Sequence, residues 1–90
     1  MRSVQEFTLV NQLGLHARAA ARLVSLLSQA EGDVWVRFGD REVNGKSILG
    51  LLSLSAPKST TIEVEVEGAQ SEEILSAVAE LVESRFGEEN

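Results

Sequence analysis

Cysteine is absent from the 90-residue sequence. Disulfides and thiolate metal sites are therefore excluded. Only one histidine is present, which excludes a histidine cluster. Long apolar runs are missing too. Residues 1–10 lack the stretch that a signal peptide or membrane span requires, so a cytoplasmic protein without membrane attachment is expected. Basic residues are scarce: eight Lys and Arg stand against fourteen Asp and Glu, a net charge of −6. Nucleic acid is thereby disfavoured as a partner, because phosphate backbones require basic patches. There is no repeat, low-complexity linker, Walker loop or metal-ligand spacing, and no cofactor is expected.

What is present suits one modest globular domain spanning 1–90. A chain of this size buries about 60–65% of its unfolded surface. Hydrophobic residues make up 43%, too many for general disorder. The charge is unevenly distributed. Arg18, Arg22 and Lys46 fall in two short segments, while acids crowd Glu63 to Glu89. This predicts a basic functional face on an acidic body, suited to an acidic partner.

Hydrophobic periodicity predicts seven elements. Val4 to Val10 reads as a strand with Phe7 and Leu9 on one side. A helix follows from Ala17 to Gln29, its inner face formed by Ala20, Leu23, Val24 and Leu27. Asp33 to Phe38 and Arg41 to Asn44 are two strands joined at Gly39-Asp40, with Trp35 half exposed on the sheet. Ser47 to Leu54 is a short helix with Ser47 as its N-cap. It carries more apolar residues than one buried stripe needs, so some should be exposed as a docking patch. Thr60 to Glu67 alternates Ile62, Val64 and Val66 inward with Glu63, Glu65 and Glu67 outward. The last helix is capped by Ser71, buries Ile74, Ala77, Val78 and Leu81, and ends at Gly87. Glu88 to Asn90 is expected to be a free tail. The order packs most simply as a sheet with helices over one face, an α+β open-faced sandwich.

Chemistry concentrates where Gly14 leads into the first helix. A helix start wants Ser, Thr, Asp or Asn to accept its free N–H groups, and none occurs from Gly14 to Ala21. An uncapped N-terminus beside an arginine attracts anions. His16 stands at its mouth. The positive end of the helix dipole disfavours a further positive charge there, which leaves a ring nitrogen free to attack phosphorus. The product phosphohistidine would be held by backbone N–H groups near Ala17 and Arg18 and by the Arg18 guanidinium. Two residues keep alternatives open. Asn11 could bond the imidazole or phosphate, or its own turn. Arg22 is either a solvated helix residue or a partner contact.

Gly14-Leu15-His16-Ala17-Arg18 resembles the active-site motif of HPr, the histidine-containing phosphocarrier family of the bacterial phosphotransferase system. Gly45-Lys46-Ser47-Ile48-Leu49-Gly50-Leu51-Leu52-Ser53-Leu54 resembles that family's regulatory-serine segment. The likeness covers nearly the whole chain. It implies a βαββαβα fold with an antiparallel sheet in order 1-4-2-3 and three helices on one face. It implies a monomeric carrier, not an enzyme, that is phosphorylated on His16 as pros-phosphohistidine with Arg18 beside it. The phosphate would rest on the N–H groups of Ala17, Arg18 and Ala19. The donor would resemble enzyme I and the acceptor an enzyme IIA. Ser47 would be the target of a serine kinase or phosphorylase, and this defines the competing reading: a regulatory interaction module switched at Ser47. Ala20, Lys46, Ile48, Leu49 and Leu52 occupy the partner-interface positions and are expected beside His16. One departure is Ala19, where the family commonly has proline. Alanine restores a donor and loosens the helix start, which leaves open a regulatory or nitrogen-related branch.

Overall fold

The computed structural model describes residues 1–89. Its strands are β1 (Arg2–Thr8), β2 (Val34–Phe38), β3 (Arg41–Asn44) and β4 (Thr61–Glu67). Its helices are α1 (Ala17–Leu27), α2 (Ile48–Ser53) and α3 (Ser71–Glu83), followed by a 3₁₀ turn at Arg85–Gly87. The sheet is antiparallel in the order β1-β4-β2-β3, as expected.

Strict alternation in β4 builds the core. Ile62, Val64 and Val66 are fully buried. Across from them stand Phe7 of β1, opposite Ile62, and Val36 of β2, opposite Val64. Leu23 and Leu27 of α1, Leu51 of α2 and Val78 of α3 close over this layer. The other sheet face is open to solvent. There Trp35 is 37% exposed, and Arg37 binds Glu63 (2.6 Å), Glu42 (2.7 Å) and Glu65 (2.8 Å). Register creates this cluster, since Arg37 lies opposite both Glu42 and Glu63. The three carboxylates, Glu65 foremost, hold the guanidinium proton more tightly than usual.

Several boundaries differ from expectation. β1 starts and stops two residues earlier, although Leu9 still exchanges backbone bonds with Thr60 and Ser59. α1 ends at Leu27, two residues earlier, where Gln29 and Ala30 donate to Leu26 (3.2 Å) and Leu27 (3.1 Å) in tighter three-residue turns. Ser71 does not cap α3. Gln70 holds the cap position, and the fully buried Ser71 hydroxyl pairs with Ser3 across 2.8 Å. The buried face of α3 is Ile74, Leu75, Val78 and Val82, with Ala77 and Leu81 half-buried. Ser47 does cap α2, accepting the Gly50 N–H at 3.0 Å.

Two close approaches fix the path into α1. Gly14 has φ +62, and a Cβ there would meet the Pro57 Cα at 2.8 Å. Leu15 donates its N–H to the Ala56 carbonyl at 2.9 Å. The segment after α2 is thus the floor under the residues before His16. At the other end, Gly45 packs against Leu27, so α2 runs back along α1.

Candidate functional site

His16 is the N-cap of α1. Its backbone is extended (φ −85, ψ −177) and its side chain makes no capping hydrogen bond. The first helical N–H group with an acceptor inside the turn is that of Ala20, which donates to the His16 carbonyl at 2.8 Å. The N–H groups of the preceding turn have no intrahelical acceptor, and among the described residues no side chain caps them. A cleft of about 630 Å³ opens here, lined by Gln12, Leu13, His16, Ala17, Arg18, Gly87, Glu88 and Glu89. Ala17 and Arg18 therefore stand where a bound anion would lie. Ala19 is fully buried behind them and lends only its backbone.

The tail expected to be free is instead part of this site. Phe86 is fully buried and anchors it. Glu88 then turns back so that one carboxylate oxygen meets the Nε2 of His16. Its other oxygen accepts the Nδ2 of Asn11 at 3.1 Å. Asn11 is fully buried and also donates to the Gly14 carbonyl at 2.7 Å. The turn reading of Asn11 thus holds, and its second bond goes to Glu88 and not to the imidazole. Burial pushes the Glu88 carboxyl up, but the bonds from His16 and Asn11 and the nearby Arg18 charge hold it below the ordinary carboxylate value. The sequence offered one signal for this tail, a lone Phe86 within a charged run.

Other expected site residues are distributed differently. Arg22 donates to the Phe86 carbonyl and so fastens the tail. Lys46 is half-buried and spends its ammonium on the carbonyl of Ala30, where a cation also complements the C-terminal end of α1. That bond ties its side chain to the fold. Ala20 as a partner contact is corrected, because it is fully buried on the inner face of α1. Ile48 and Leu49 are 38% and 76% exposed, while Leu52 is half-buried. Ser47 and these two exposed residues start α2, beside the far end of α1. Neither Ser47 nor these two residues are among those lining the His16 cleft. Leu13, 66% exposed on the cleft rim, is the apolar neighbour that the sequence reading missed. Arg18 remains the basic group facing the cleft, and Glu88 and Glu89 share it.

The family described as "PTS HPr component phosphorylation site" matches residues 4–84. A phosphocarrier protein HPr of Neisseria meningitidis is 45% identical over 93% of this chain and 94% of the relative. A phosphocarrier protein NPr of Shewanella violacea is 34% identical over 93% of this chain and 92% of the relative. The crystal structure of an HPr from Thermoanaerobacter tengcongensis superposes with a TM-score of 0.91 at 36% identity, covering 98% of this chain and 99% of that one. With an uncapped helix bearing His16 on such a fold, the chain belongs to the HPr family of phosphocarriers of the phosphotransferase system.

Proposed function

We propose that His16 accepts a phosphoryl group from a phosphohistidine enzyme resembling enzyme I and passes it to an acceptor resembling an enzyme IIA. The supporting observation is the placement of His16 as the N-cap of α1 with no side-chain cap. With Nε2 turned to Glu88, Nδ1 is the nitrogen available for attack. The N–P bond forms there as the donor's N–P bond breaks, and the donor nitrogen keeps the electron pair. The N–H groups of Ala17, Arg18 and Ala19 and the Arg18 guanidinium meet the phosphoryl oxygens. The protein works as a monomeric, single-domain carrier in the cytoplasm, and it releases no small-molecule product.

A second reading adds control at Ser47. Ile48 and Leu49 lie exposed directly after it, which favours a docking patch at this end of α2. Phosphorylation by a serine kinase or phosphorylase would place negative charge on that patch, and an acidic partner would then bind less well.

A two-stage relay tests the leading reading. The carrier is loaded with phosphoenolpyruvate and catalytic enzyme I, the enzyme is removed, and a IIA domain is added. The reading expects loading and then loss of the phosphoryl group to the acceptor. Failure to load, or loading that His16→Ala also shows, refutes it.

A further inference from the structure

We propose that Glu88 is the counter-charge of the His16 ring during phosphoryl transfer, an inference that rests on the reading of His16 as carrier. The carboxylate is built into place. One oxygen faces Nε2 of His16 and the other accepts from Asn11, a side chain that is itself fully buried. The Glu88 side chain is only 11% exposed.

The chain spends conformational freedom to put it there. Arg85, Phe86 and Gly87 follow one another with φ of 58, 55 and 78, and left-handed backbone is unfavourable for the first two. Burial of Phe86 and the bond from Arg22 to the Phe86 carbonyl hold that turn. Its effect is to reverse the chain after α3 and bring the next residue to His16. Burial pushes the Glu88 carboxyl up, yet its two hydrogen bonds outweigh this and keep it anionic.

The chemistry requires such a group. With the ring proton on Nε2, Nδ1 holds the lone pair. Attack on phosphorus uses that pair, and the proton remains on Nε2, so the ring becomes a cation. A carboxylate against Nε2–H offsets the new positive charge, as the acidic partner of a nucleophile-activating histidine does. When the phosphoryl group leaves, the N–P electron pair returns to Nδ1 and the ring is neutral again. Arg18 acts on the opposite side of this step, toward the phosphoryl oxygens. Glu88 is a positioning residue, since it touches the ring and not the reacting nitrogen.

The same geometry has a rival meaning: the tail could merely obstruct the cleft until a donor displaces it. Loading by enzyme I and phosphoenolpyruvate separates the two when wild type, Glu88→Gln and Glu88→Asp are compared over a range of carrier concentrations. Glutamine keeps shape and an acceptor oxygen but removes the charge. The proposal expects Glu88→Gln to lower the maximal rate roughly 10- to 100-fold, by analogy with carboxylates that orient metal-binding histidines. KM should change little, and Glu88→Asp should recover part of the rate. An unchanged or faster Gln variant, or an effect confined to KM, overturns it. Nitrogen-15 spectra of the phosphorylated proteins at neutral pH give a readout independent of rate. Nε2 should keep its proton in the wild type and lose it in Glu88→Gln, and equal protonation in both overturns the proposal. Wild type that loads normally beside an unaffected Gln variant refutes only this inference. Wild type that never loads refutes the carrier reading and this inference with it.

Discussion

Replacing Gly14 by alanine separates two costs that usually occur together. Gly14 and Gly39 share the same φ of +62. An added Cβ meets nothing within 4 Å at Gly39, but at Gly14 it meets backbone atoms of Pro57 at 2.8 Å and the Ala56 carbonyl oxygen. Both alanines bear the left-handed backbone penalty, roughly 1–2 kcal/mol. Only Gly14→Ala adds overpacking, typically ~1–3 kcal/mol. Gly39→Ala should thus cost about 1–2 kcal/mol and Gly14→Ala about 2–5 kcal/mol. For a domain of this size each kcal/mol lowers Tm by roughly 4–8 °C. Urea titrations of both variants, with matching thermal scans, measure the difference. The floor that Gly14 touches also accepts the Leu15 N–H. A shift there moves His16, so folded Gly14→Ala should load more slowly while folded Gly39→Ala loads normally. Equal destabilisation by the two alanines, or a larger loss at Gly39, would refute the close-approach argument.

Arg18→Ala should slow loading by enzyme I while changing folding stability by no more than about 0.5 kcal/mol, because Arg18 is exposed; thermal scans beside loading rates decide. Ser47→Ala should lose about 1 kcal/mol with the cap to Gly50, measured by urea titration. Ser47→Asp should keep most of that stability, since an acid suits a helix start, and should bind enzyme I more weakly at low salt than Ser47→Ala does. Glu88 releases its proton more readily in the folded chain than unfolded. Its contribution is therefore fully present above the ordinary carboxylate range and is lost as pH falls through the folded value. Stability measured from neutral to acidic pH should fall more steeply for wild type than for Glu88→Gln, and parallel curves would contradict the Glu88 assignment.

Strands and helices were legible where one face is buried along an unbroken run. The alternation of Ile62, Val64 and Val66 with three glutamates set β4 and its inner face, and Ala20, Leu23 and Leu27 did the same for α1. The uncapped start at His16 was legible because it depends on residue types next to one another. Other features depend on contacts that sequence spacing does not reveal. Glu88 reaches His16 across 72 positions, so a charged tail after a glycine read as free. Lys46 read as a partner contact from its charge and the family resemblance, and its long stem also reaches back to Ala30. Ser71 has the right chemistry for a cap, yet Ser3 on the neighbouring strand claims its hydroxyl. For Glu88 and Ser71 a tertiary partner outcompeted the local role that composition favoured. The strand order was implied by family resemblance, since several orders would bury the same faces.

Intact mass measurement before and after incubation with phosphoenolpyruvate and enzyme I tests the central claim most directly. The wild-type protein should gain a single phosphoryl group that survives base and is lost in acid, as a nitrogen–phosphorus bond requires. His16→Ala should gain none while unfolding cooperatively like the wild type. The same acid-labile gain on folded His16→Ala would contradict the assignment of His16 as the phosphoryl carrier.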